Sequence, residues 1–113
     1  QVVCSLDHTC SLSVAKTVKC FGNNAHGKLG YGDTTDRGTG PGQMGNALAV
    51  VNLGTDFVPK GVAVGYEHTC SWSEAGTAKC WGRGEFGALG YGDTLTRGDA
   101  AGQMGDNLTV IDL

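Results

Sequence analysis

Four cysteines recur at one spacing: Cys10 and Cys20, then Cys70 and Cys80. Each pair brackets a short turn, centred on Ala15 in one case and on Ala75 in the other. Residues equidistant from the centre of a hairpin face each other across its strands. In a non-hydrogen-bonded pair their Cα atoms stand roughly 4.5–5.5 Å apart, within disulfide reach. The spacing predicts Cys10–Cys20 and Cys70–Cys80 disulfides, and with them an oxidising, extracellular or cell-surface setting. Four reduced, buried cysteines packing as small hydrophobes are the competing reading. A fifth, Cys4, stands where the second set has Val64. It is expected to be an unpaired, buried thiol, or else a link to another chain or another blade.

His8 and His68 each precede a cysteine by two residues, so one histidine and two cysteines share a strand face twice over. Such a set could hold zinc, but the spacing matches no zinc pattern and a fourth ligand is missing, so no metal is expected. The two histidines are expected to donate to turn carbonyls near the strand ends, and His26 to be solvated. Asp33, Asp36, Asp93, Asp99 and Asp106 stand among glycines and could offer oxygens to calcium. Without an EF-hand pattern they read as turn formers. Asp36-Arg37 and Arg97-Gly98-Asp99 read as local ion pairs, with the recurrent arginines structural. Asn107-Leu108-Thr109 is an N-glycosylation acceptor, so Asn107 is a candidate glycan site. No nucleophile elbow, phosphate-cradling loop or carboxylate pair tied to a base is present. The chain is therefore read as non-enzymatic and without cofactor.

An internal repeat positions these residues. Residues 61–113 lie on residues 1–53 at a constant offset of 60 without gaps, and about half of the aligned positions are identical. The chain divides into a first repeat (1–53, truncated at its N-terminus), a junction (54–60) and a second repeat (61–113). There are 20 glycines in 113 residues, against the ~7% usual for proteins. They are expected in turns between short strands. Lys60 to Gly65, Glu67 to Ser73 and Thr77 to Gly82 read as strands. Leu48 to Leu53 and Leu108 to Leu113 read as the fourth strand of each unit. Glu74-Ala75-Gly76 reads as a hairpin loop with glycine at the left-handed position. Lys16 takes that place in the first repeat, at a cost in backbone energy or with a different turn. Long glycine-rich connections, about 23–47 and 83–107, join the third and fourth strands and are candidates for function. The expected fold is all-β: two tandem four-stranded antiparallel sheets with long glycine-rich loops.

The run Gly22-Asn23-Asn24-Ala25-His26-Gly27-Lys28-Leu29-Gly30-Tyr31-Gly32 resembles the signature of the regulator of chromosome condensation repeat family. Trp81-Gly82 with Gly87-Ala88-Leu89-Gly90-Tyr91-Gly92 repeats it, and Gly65-Tyr66-Glu67-His68 resembles the family's Gly-x-x-His segment. Lys28 and Ala88 replace the family's usual glutamine, Gly84 an asparagine and Phe21 a tryptophan. The resemblance implies the blades of a seven-bladed β-propeller, a scaffold for exchange-factor, inhibitor and ligase-associated binding.

Two blades cannot close such a ring, and an open pair exposes sheet faces and edges. The expected partners are further repeats of the same polypeptide, or copies of the chain stacking head to tail into a fibre or filament. A protein ligand on the long loops is also expected. The formal net charge of −3 with scattered basic residues argues against nucleic acid. No apolar stretch is long enough to span a membrane. The start at Gln1, with no signal-peptide pattern, reads as a processed form or an excerpt. The leading expectation is a secreted or cell-surface structural module and glycoprotein. The alternatives are a fragment of a closed propeller that binds a protein ligand, and an intracellular chromatin or exchange-factor scaffold.

Overall fold

A computed structural model describes all 113 residues. The chain is all-β, with two three-stranded antiparallel sheets joined by loops and single 3-10 turns. The first sheet holds β1 (Val2–Cys4), β2 (His8–Leu12) and β3 (Val18–Gly22) in that order. The second holds β4 (Pro59–Val64), β5 (His68–Ser73) and β6 (Ala78–Gly82) in the same order. The internal repeat is therefore a structural repeat. Cys10 pairs with Cys20 and Cys70 with Cys80, each directly opposite in register. The β5–β6 hairpin turns through Gly76 at φ +84°, and the first hairpin forces Lys16 into the same left-handed region at φ +65°.

Each sheet has three strands rather than the expected four, for a visible reason. The outer edge of β3 is already satisfied. Gly22 exchanges both backbone bonds with Arg37. The Cys20 N–H donates to the Tyr31 hydroxyl (3.1 Å), which lies 3.0 Å from the Cys20 carbonyl and 2.8 Å from that of Ala49. Only the Val18 carbonyl is left for the 48–53 segment, and it accepts the Val51 N–H at 2.7 Å. Residues 108–113 repeat this with one backbone bond, from Ile111 to Ala78, while Tyr91 binds the backbone of Cys80. A phenol wedged into the edge replaces a ladder bond and blunts the edge against further strand pairing.

The two sheets stack through β4, which lies against β2. Cys10, Val18, Cys20, Leu29, Val51, Leu53, Phe57, Val62, Trp81 and Leu108 form one buried cluster spanning both repeats. Trp81 is fully buried. An aromatic side chain of this kind buries about 150–250 Å2, which at about 25 cal/mol per Å2 contributes roughly 4–6 kcal/mol before entropy. Its indole packs on Gly30, at φ +83°, where a Cβ would stand 2.6 Å from Nε1. Glycine is required there both for the backbone angle and for the close approach.

Candidate functional site: the joint between the sheets and the loops it carries

β5 and β6 bring two donors onto one carbonyl of the first repeat. The Lys28 carbonyl accepts the Thr69 hydroxyl at 2.8 Å and the Trp81 indole N–H at 3.1 Å. With its proton spent there, Thr69 Oγ1 accepts from His8 Nε2 at 3.0 Å. That fixes the His8 tautomer, so Nδ1 accepts the Ser5 hydroxyl at 2.7 Å. Burial holds His8 below the usual imidazole value of 6.5, and the nearby Lys28 charge pushes the same way. The imidazole is therefore a neutral structural relay.

The Lys28 side chain is fully buried at the same joint. Its Nζ lies 3.0 Å from Asp7 Oδ1 and 3.5 Å from Glu67 Oε2. Asp7 and Glu67 occupy the same position in the two repeats, so one lysine bridges equivalent carboxylates of neighbouring sheets. Glu67 Oε2 accepts no hydrogen bond, and Lys28 offsets its charge from 3.5 Å. Away from this centre, the Gln1 amide exchanges two bonds with the backbone of Val62 at 3.1 and 3.0 Å. Buried Lys79 donates to the carbonyls of Leu53 (2.8 Å) and Gly105 (3.0 Å), tying the end of one repeat to a loop of the next. The donors of the joint are spent within it, so chemically it is a clamp.

Each long loop is built on one recurrent stack. Arg37 binds Asp33 through two nitrogens, at 2.7 and 2.9 Å, and lies 4.3 Å over the Tyr31 ring. Arg97, Asp93 and Tyr91 repeat it, at 2.9, 2.9 and 4.3 Å. The Arg97 hydrogen bonds hold the Asp93 carboxyl at about 2, and Asp33 is lowered by the same cause. Further along, Gln103 Oε1 accepts three backbone N–H groups, from Gly98, Asp99 and Ala100, at 2.8–3.1 Å. Gln43 does the same for Thr39 and Gly40. Side chains thus brace loops that have no regular structure.

The cysteine pairs lie at the centre of each sheet, with Cα atoms 4.1 Å apart and their sulfurs bonded. Cys10 and Cys20 are fully buried in the stack. Cys4 is free and exposed, not buried, because β1 is an edge strand. Asn107 is exposed at the end of a 3-10 turn. The arginines pair with Asp33 and Asp93, four residues earlier, rather than with Asp36 and Asp99. Asp36 instead accepts the Asn24 N–H at 2.7 Å. His26 is half-exposed and stands 3.8 Å from Glu67 across the joint. Sequence reasoning missed Lys28 and the two tyrosines. Lys28 left a signal, as a long cation set in an otherwise invariant glycine-leucine run that carries alanine in the second copy.

Two twisted sheets, stacked in tandem at the period of the sequence repeat, define a β-propeller-type repeat protein. No family model matches the chain. The human probable E3 ubiquitin-protein ligase HERC4 is 38% identical over 97 residues, covering 86% of this chain and 8% of the ligase. The ultraviolet-B receptor UVR8 of Arabidopsis thaliana is 34% identical, covering 86% of this chain and 20% of the receptor. Prp20p of Saccharomyces cerevisiae, the yeast RCC1 protein, shares the fold over 100% of this chain and 25% of its own, with a TM-score of 0.68 at 20% identity. The chain belongs to the regulator of chromosome condensation repeat family. It spans a fifth or less of the curated relatives named here.

These relatives overturn the extracellular expectation. Ubiquitin-protein ligases, and a protein studied for its binding to Gsp1p and histones, work inside cells. The secreted, glycoprotein and filament readings find no support among them, and a glycan at Asn107 loses its premise. The inference failed because a cross-strand cysteine pair reports local geometry first and compartment only indirectly.

Proposed function

We propose that the chain is a non-enzymatic, two-blade portion of an intracellular β-propeller scaffold that binds a protein partner through its long loops. The observation that carries this reading is the division of labour in the structure. The joint around Lys28, Thr69 and Trp81 locks the blades together. The braced loops at 34–36 and 94–95 remain exposed. Binding residues held on loops by a rigid scaffold are a common arrangement. Among the relatives, Prp20p has described binding to Gsp1p and to histones. A net charge of −3 suits a basic partner. In this reading both cross-strand cysteine pairs are oxidised and hold the blades rigid.

Titration of the chain against purified core histones and against a Gsp1p-type GTPase, read by biolayer interferometry, tests this. Saturable binding to one of them is expected, weakening with salt in the case of histones. Flat responses to both would overturn it.

A further inference from the structure

The 48–53 segment follows the outer side of β3 and is bonded to it at alternate residues. The Val51 N–H donates to the Val18 carbonyl at 2.7 Å, and the Ala49 carbonyl accepts the Tyr31 hydroxyl at 2.8 Å. Along an extended segment, the main-chain groups of successive residues point to opposite sides. Those of Val50 and Asn52 therefore point away from β3. The Asn52 carbonyl accepts the Gly105 N–H at 2.9 Å, which brings a loop of the second repeat alongside. The N–H and C=O of Val50 and the N–H of Asn52 make no hydrogen bond within the protein. They border a cleft of ≈ 470 Å3 floored by Tyr31, with Val50 and Asn52 on one wall and Gly102, Met104 and Asn107 on the other. No charged residue lines it.

We propose that this cleft takes a short, extended, uncharged segment of a protein partner, added as a further strand along Val50. The claim rests on the protein-binding reading above and names the chemistry of one contact. An exposed edge with free N–H and C=O groups is what a peptide main chain pairs with when it joins a sheet. Val50 is 49% exposed and offers both groups. Across the cleft, the exposed side-chain amide of Asn107 has no partner in the protein. It carries a donor and an acceptor, as a peptide group requires. The Met104 thioether adapts its shape to the side chains that enter, and the absence of charge selects a neutral segment. The volume falls within the about 300–1,000 Å3 of ordinary binding clefts. Both walls belong to the two blades described. Tyr91, Val110 and Asp112 line the counterpart 60 residues on, so by the symmetry of the repeat a following blade would bring its loop to Val110 and leave Val50 open. A second copy of this chain is a poor occupant, because the wall carrying Gly102 and Met104 admits a single strand rather than the edge of a folded sheet.

The test uses the capped neutral peptide acetyl-Thr-Val-Thr-Val-Thr-amide as probe. The control is the same peptide N-methylated at every residue, which keeps the side chains and removes the main-chain donors. Amide shifts of the intact 15N-labelled chain are followed by NMR. The expected result is saturable shifts at Val50, Asn52, Met104 and the Asn107 side chain, in the millimolar range, unchanged by added salt and absent with the control. Val50→Pro removes the donor at an edge position where no internal bond is lost. It should abolish the shifts at Asn52 and Met104. Equal shifts with the control, no shifts with the probe, shifts confined to the β1 edge, or shifts that survive Val50→Pro would overturn the proposal. So would shifts at Val50 that follow protein concentration without probe, which assign the edge to self-association. The control peptide carries the result if the proline variant folds poorly. None of these results bears on histone or GTPase binding read by interferometry, so the two readings fail separately.

Discussion

Replacing Lys28 by methionine removes the charge of the joint while keeping most of its stem. The ammonium is fully buried, 3.0 Å from Asp7 and 3.5 Å from Glu67. At an effective dielectric of about 20, each contact is worth roughly 5 kcal/mol of Coulomb energy. Most of that offsets the desolvation of the buried charge. Removing one member of a buried ion pair costs about 3–5 kcal/mol, because its partners are stranded. Here the stranded carboxylates keep some water, with side-chain exposures of 35% for Asp7 and 18% for Glu67. The expected loss is therefore smaller, about 2–3 kcal/mol. Urea unfolding read by tryptophan fluorescence reports it, since the Trp81 indole sits in the joint. At a slope of roughly 2 kcal/mol per M, the midpoint should fall by about 1–1.5 M. Adding Glu67→Gln to Lys28→Met should return about 1 kcal/mol, because the stranded charge goes with it. A loss below about 0.5 kcal/mol, or no recovery in the double variant, would refute the reasoning.

The tyrosine wedges make a graded prediction. Tyr31→Phe strips partners from the Cys20 backbone and from the Ala49 carbonyl and should cost about 1–3 kcal/mol in urea unfolding, more than Tyr91→Phe, which touches only Cys80. His8 is held below 6.5 in the folded state, so folding favours its neutral form. Its contribution is complete above pH 6.5 and is lost as pH falls through the depressed folded value. Urea midpoints measured from pH 7.5 down to 5 should show this fall, and His8→Gln should flatten it. Asp93, held at about 2 by Arg97, contributes above its ordinary value of 3.8, a contribution lost as pH falls toward 2. An NMR titration of its carboxyl, with and without Arg97→Gln, should show the low midpoint only when the arginine is present. Phe86 holds φ +63° while 93% exposed, so Phe86→Gly should raise stability by about 1 kcal/mol in thermal unfolding.

Much of the scaffold was legible because the sequence states it twice. The offset of 60 placed six strands, and symmetry about Ala15 and Ala75 placed Cys10 opposite Cys20 and Cys70 opposite Cys80. The apolar run at 48–53, echoed at 108–113, also suggested a fourth strand. Apolar pattern reports burial, and Val51 and Leu53 are indeed buried. It does not report whether a ladder bond is free, and the Tyr31 hydroxyl had taken it. The choice of Asp33 over Asp36 as the partner of Arg37 was likewise hidden. It depends on the arginine lying over Tyr31, with its fork turned back four residues to Asp33. Lys28 read as a departure from a motif. Its role requires Asp7 and Glu67 to meet across two sheets, a contact between residues 60 apart in sequence that no local pattern encodes. The compartment was the largest misreading, and only relatives could correct it.

The most direct test of the stacked-blade account is a nuclear Overhauser measurement on the indole proton of Trp81. The account places Nε1 3.1 Å from the Lys28 carbonyl and against Gly30. It predicts strong cross-peaks from the indole N–H to the Gly30 and Lys28 backbone, with slow exchange of that proton against solvent. An indole that exchanges freely and shows cross-peaks only to residues of its own repeat would contradict it.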